Sequence, residues 1–173
     1  KLGFESESPG VLFNMSVGDN IEGILQPNVK WYRKKMRNAG DDLNRCVEAV
    51  AKYYPDVAGI SIPSRLSNNV TLSTMHGCPP DEIEKIGHYL LKEKKLHTLI
   101  KLNPTLLGKD ELRDILNNKL QFKNTIPDIA FEHDLKYSDA IGIIQRLQQT
   151  ADEEKLFFGV KLTNTLESVN HKN

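Results

Sequence analysis

The run Leu72-Ser73-Thr74-Met75-His76-Gly77-Cys78-Pro79-Pro80-Asp81-Glu82-Ile83 sets hydroxyls, an imidazole and a thiol around a glycine, just ahead of two prolines. Proline suits the first position of a helix, and the acids after it favour the positive end of the helix dipole. The spacing therefore predicts a strand end, a turn and a helix that begins at Pro80. Backbone N–H groups at such a start attract a phosphate or carboxylate, and they favour a thiolate at Cys78 if the sulfur points toward them. Cys78 is thus a candidate catalytic proton donor or nucleophile, or alternatively a buried inert thiol. His76, beside the glycine, either contacts substrate or caps the loop. Cys46 lies in a helical run beside Val47 and reads as an inert buried thiol.

A second set of candidates stands at the ends of strand-like runs. Val11-Leu12-Phe13 leads into Asn14 and Ser16, Val70-Thr71-Leu72 into Ser73 and Thr74, and Leu99-Ile100 into Lys101 and Asn103. Ala130-Phe131 leads into Glu132 and His133, and Gly159-Val160 into Lys161, Thr163 and Asn164. Where parallel strands build an α/β fold, ligands sit at the strands' C-terminal ends, so these groups are expected on one rim. Strand ends are polar in many folds because they emerge into solvent. The lysines need more than that. Lys101 lies between Ile100 and Leu102, and Lys161 between Val160 and Leu162, in strands expected to be covered on both faces. An unpaired ammonium so placed is costly. A lysine in a barrel mouth faces an anion, and Lys101 is expected within hydrogen-bonding reach of Asn14, Glu132 or the neighbours of Lys161.

Short aliphatic runs that alternate with longer helical patterns must position these residues, the mark of βα units around a parallel sheet. Strands are expected over 11–17, over 57–62 continuing irregularly into 70–73, and over 98–102, 129–132 and 157–162. Helices are expected over 28–37, 41–54, 80–94, 110–118 and 138–151, with apolar residues at helical spacing such as Ile83, Ile86 and Leu90. Ile100-Lys101-Leu102-Asn103-Pro104-Thr105-Leu106 and Val160-Lys161-Leu162-Thr163-Asn164-Thr165-Leu166 form an internal repeat, offset by 60 residues. With a strand between them, that offset is two βα units of about 30 residues, the pace of a (β/α)8 barrel of ~250 residues. The expected fold is α/β, a partial TIM-type barrel of about five parallel strands with intervening helices. A doubly wound sheet is the competing architecture.

Composition narrows the function. The 173 residues carry 23 Lys+Arg against 23 Asp+Glu, so the zero net charge supplies no long-range field for a polyanion and nucleic acid is not an expected partner. No apolar run approaches the ~20 residues that span a bilayer, and no cleavable signal opens the chain, so a cytoplasmic protein without a membrane partner is expected. Cys46 and Cys78 are too few for a disulfide framework. His76, Cys78, Glu132 and His133 could meet around zinc, which would make a zinc-dependent hydrolase, but no pair has common metal-ligand spacing. The glycine-rich dinucleotide and phosphate-loop motifs are absent. The chain opens at Lys1 and ends just after a strand-like run, and we expect a segment of a longer protein.

Four stretches in order carry a family likeness: Phe13-Asn14-Met15-Ser16-Val17-Gly18, Val70 through Glu84, Lys101-Leu102-Asn103-Pro104-Thr105-Leu106-Leu107-Gly108, and Phe158-Gly159-Val160-Lys161-Leu162-Thr163-Asn164-Thr165. Together they resemble the selenate reductase oxidoreductase subunits of bacteria. The resemblance implies a multidomain NAD(P)H-linked flavin and iron–sulfur oxidoreductase, related to dihydropyrimidine dehydrogenase and to the small subunit of glutamate synthase. Residues 1–173 would be one segment of its dihydroorotate-dehydrogenase-like barrel. FMN is implied for the complete barrel, with NAD(P)H, FAD and iron–sulfur clusters in other domains of the parent.

In the dihydroorotate and dihydropyrimidine dehydrogenases, a strand ending in Asn-x-Ser-Cys-Pro-His-Gly and a later Lys-Leu-x-Pro strand flank the flavin. Leu72-Ser73-Thr74-Met75-His76-Gly77 resembles the first and Lys101-Leu102-Asn103-Pro104 the second. Thr74 stands where those enzymes have cysteine, and Cys78 follows the glycine instead. The strand-end residues Asn14, Ser73, Lys101, Asn103, Lys161 and Asn164 are the expected cofactor-binding set, and the resemblance implies for Lys101 a place beside the flavin N1–C2=O edge. Partners are expected to be a small-molecule substrate or electron acceptor and other domains or subunits of the same enzyme. The isolated segment is expected to be inactive and to self-associate through its open sheet edges. A non-catalytic barrel domain that organises subunits is the alternative from another class.

Overall fold

The computed structural model describes residues 13–18, 20–73, 77–162 and 164–169. Strand β1, Asn14–Gly18, is followed by α1, Ile21–Ile24, α2, Pro27–Arg37, and α3, Gly40–Ala51. Strand β2, Asn69–Ser73, leads to α4, Pro80–His88, and β3, His97–Lys101, leads to α5, Lys109–Arg113. Then come α6, Asp128–His133, α7, Tyr137–Glu153, and β4, Phe158–Lys161. Among the described residues no helix is long and apolar enough to cross a membrane.

The four strands pair in parallel in the order β1-β2-β3-β4. A doubly wound sheet reverses its strand order at a switch point, whereas a barrel adds each strand beside the last. This order, with parallel pairing throughout, is that of a partial TIM-type barrel. Residues of β1 to β3 that alternate toward the helices, Met15, Val17, Val70, Leu72 and Ile100, form the core with Ile83, Ile86 and Leu90 and with Ala140, Ile143 and Leu147 of α7.

Local chemistry sets the helices. Pro79 and Pro80 start α4, with Asp81 and Glu82 in its first turn, and its far end widens into a π-helical turn, Tyr89–Glu93. Gly87 lets α4 approach α7: a Cβ there would stand 2.6 Å from a δ-carbon of the fully buried Leu147. Across the same contact, Arg146 donates to both carboxylate oxygens of Glu84 at 2.5 and 2.7 Å. That guanidinium holds the Glu84 carboxyl below the usual carboxylate range, against the opposing effect of partial burial.

Three expectations are corrected. The 129–132 run is helical, lying inside α6, because Pro127 and Asp128 give a helix start; Ala130 and Phe131 pack on Leu112 and Ile126. With no strand there, β3 and β4 pair directly, and the 60-residue offset of the repeat is one strand-to-strand step. The Val57–Ile62 run is not a strand either: Pro55–Gly59 forms a 3₁₀ turn with Val57 buried beneath it. The expected helices over 28–37, 41–54, 80–94, 110–118 and 138–151 are present with shifted ends.

Candidate functional site

Side chains of a strand alternate between faces, and register partners in neighbouring strands share a face. With Met15, Val70 and Ile100 turned toward the helices, the opposite face carries Asn14 and Ser16 of β1, Thr71 and Ser73 of β2, Lys101 of β3 and Lys161 of β4. It is the polar face of the sheet. Asn14 Nδ2 donates to Thr71 Oγ1 at 2.8 Å, and the Ser16 and Ser73 hydroxyls are 3.2 Å apart. Thr71 is buried on this face.

Lys101 and Lys161 are register partners at the C-terminal ends of β3 and β4. Lys101 is half-buried and Lys161 exposed, so the expected cover on both faces of the sheet does not hold among the described residues. Neither ammonium has an ion-pair or hydrogen-bond partner among the described residues, and like charges on adjacent strands repel. Asn14 and Lys101 thus share a face without a bond between them. Glu132 and His133 are exposed at the end of α6 rather than at a strand end.

Just past the strands, the ladder continues from Leu102 N to Lys161 O at 2.9 Å, and Asn164 Nδ2 donates to Asn103 Oδ1. The two copies of the repeat therefore lie side by side. A narrow cleft between Cys78, Lys101, Leu102, Asn103, Asp134 and Leu135 holds about 10 Å³, room for a single water. A larger hollow of about 240 Å³ opens beside Ser16–Gly18, against Asn28, Val29 and Tyr32.

The structure brings Cys78, Lys101 and Asn103 to one cleft, with Lys161 and Asn164 directly beside them and Ser73 level with Lys101 on the neighbouring strand. Asn14 does not reach this rim: it begins β1 rather than ending it, in register with Asn69 and through it His97, at the N-terminal end of the strands. His76 falls outside the described residues. Cys78 is half-buried, and Cys46 is exposed, contrary to its reading as a buried thiol, because α3 buries none of its residues. Among the described residues no group of three His, Cys, Asp or Glu could hold a metal ion.

Asp134 escaped the sequence reading. It is buried, accepts the Gly77 N–H at 3.1 Å through Oδ1 and the Thr105 hydroxyl at 2.8 Å through Oδ2. It thereby ties the Gly77 turn, where φ is +79° and glycine is favoured, to the turn after β3. Sequence alone gave little signal for it, only an acid between a helix end and an apolar Leu135.

The chain is 41% identical over 180 aligned residues to "Putative oxidoreductase YgfK" of Escherichia coli strain K12 and, equally, of Escherichia coli O157:H7. Each alignment covers 93% of this chain but 17% of the relative, so the chain spans about a sixth of the length of those proteins. No solved structure matches it. The family described as oxidoreductase YgfK, N-terminal TIM-barrel domain, matches residues 1–173 throughout, and the chain belongs to it.

Proposed function

We propose that this chain supplies part of a flavin-type barrel in a cytoplasmic, NAD(P)H-linked oxidoreductase of the selenate reductase type, with FMN held against its polar face. The observation that carries this reading is the Lys101–Lys161 pair, two register-matched cations without an ion-pair partner among the described residues. The donor set at the rim fits the group: ammonium groups suit an anionic ring edge, while Ser73, Asn103 and Asn164 offer a hydroxyl and amides for ring carbonyls and ribityl oxygens. When bound, FMN would supply two-electron transfer between a reductant and an acceptor.

In this reading Lys101 neutralises negative charge at the cofactor edge, and Lys161 adds to that field. Cys78 or His76 holds the proton exchanged with the substrate. Asp134 is a positioning residue, since it fixes the turn between them. NAD(P)H, FAD and iron–sulfur sites belong to other domains or subunits of the same enzyme. Those domains also cover β1 and β4, each of which has one strand neighbour among the described residues.

Chromatography of the cofactors released on denaturing the intact protein tests the reading. FMN is expected, with its content reduced severalfold by Lys101→Met. Release of FAD without FMN would contradict it and favour a non-catalytic barrel domain.

A further inference from the structure

Away from the lysine pair, at the end of the sheet where β3 begins, α2 and the segment entering β3 enclose a cleft of about 420 Å³. Lys30, Arg33, Lys34, Arg37 and Lys94 line it, together with Asn38 and Leu96. The first four recur at helical spacing, so one face of α2 presents them all. Among the described residues none of the five has a carboxylate within ion-pair distance; Asp42 is paired with Lys35 and Glu154 with Lys95.

Arg33 separates this cleft from an ordinary basic helix face. It is only 4% exposed, although it carries a full charge. Its Nη2 donates to Tyr89 Oη at 3.0 Å and to the Ile24 carbonyl at 3.3 Å, and its guanidinium carbon lies 5.3 Å from the centroid of the Tyr89 ring. Its Nη1 is buried with no hydrogen-bond partner. Lys94 Nζ lies 4.8 Å from the same ring centroid, and Arg37 Nη1 donates to the Lys94 carbonyl at 3.0 Å, so the cations are held in place by aromatic and main-chain contacts rather than by acids. A buried guanidinium with an orphaned N–H and no counter-charge calls for an anion to complete it.

We propose that this cleft binds the phosphoryl group of a small phosphorylated molecule, with Arg33 as the buried anchor and Lys30, Lys34 and Lys94 as the outer cations. A carboxylate brings a single charge, whereas a phosphoryl group brings nearly two and three acceptor oxygens, a better match to several converging donors. The cleft is of a size that takes a small ligand beyond the phosphate itself. The site is separate from the lysine pair and does not depend on flavin binding.

The test is isothermal titration of the intact protein with inorganic phosphate and, separately, with adenosine monophosphate, both against sodium chloride at matched ionic strength. Saturable binding is expected. Tighter binding of the nucleotide is expected, and equal or tighter binding of inorganic phosphate would overturn the assignment to a phosphorylated molecule. The double variant Lys30→Ala/Lys34→Ala should weaken binding at least tenfold and leave the circular dichroism spectrum unchanged, while Lys123→Ala, outside the cleft, should have no effect. No saturable binding of either probe, or binding undiminished in the double variant, would overturn the proposal.

Discussion

Lys101 and Lys161 stand opposite each other in the β3–β4 register, on the face of the sheet turned away from the helices. An arrangement kept for folding would not place two cations there, since neighbouring like charges oppose each other. Replacing one should therefore have opposite effects on stability and on binding. In the cofactor-free protein, Lys161→Met is expected to leave the melting temperature unchanged or raise it, with a gain below about 1 kcal/mol because the site is open to solvent. Cofactor content should fall in the same variant. Thermal unfolding and cofactor quantification on one preparation check both signs.

Asp134→Ala should loosen the rim. It removes the acceptor for the Gly77 N–H and for the Thr105 hydroxyl, at a cost of about 1–3 kcal/mol. Faster hydrogen exchange at Gly77 and at the turn after β3 is the specific readout. Asp134→Asn, which keeps one acceptor oxygen, should show a smaller change.

The contact between α4 and α7 gives a pH dependence of known sign. The Glu84 carboxyl is held below its usual range chiefly by the Arg146 hydrogen bonds, so its ion pair stabilises the fold fully above the ordinary carboxylate pKa. That stabilisation is lost as pH falls through the lowered value. Glu84→Gln should melt below the wild type near neutrality, and the difference should vanish in acid. Melting curves from neutral pH down to about 3 measure it.

The thiols should separate by access. Cys46 is exposed on α3, while Cys78 is half-buried against the core near the rim cleft. Iodoacetamide should label Cys46 first, and mass spectrometry of timed digests resolves the order. Faster labelling of Cys78 would mean that its surroundings activate the sulfur enough to outweigh its restricted access.

Much of this layout was legible in the sequence because chemistry and periodicity coincided. The prolines and acids at 79–82 mark the start of α4, and the apolar-Lys-Leu repeat marks the ends of two strands. The Ile129-Ala130-Phe131 run misled because three apolar residues fit a strand or a helix equally well; the Pro127-Asp128 start and the packing on Leu112 decide it. Asp134 and Arg33 were illegible for a shared reason. A single acid, or an arginine within Lys30-Trp31-Tyr32-Arg33-Lys34, reads as solvated surface until tertiary packing buries it. Burial arises from Tyr89 for Arg33 and from Thr105 for Asp134, residues far away in sequence.

The most direct test of the flavin-barrel account is an anaerobic visible spectrum of the intact protein, titrated with NADPH and compared with that of Lys101→Met. The account predicts flavin absorbance that bleaches on reduction in the wild type, with the FMN share of that absorbance diminished and its reduction potential lowered in the variant, because a cation beside the reduced ring has been removed. An intact protein with no flavin absorbance, or an FMN signal and potential indifferent to Lys101, would contradict it.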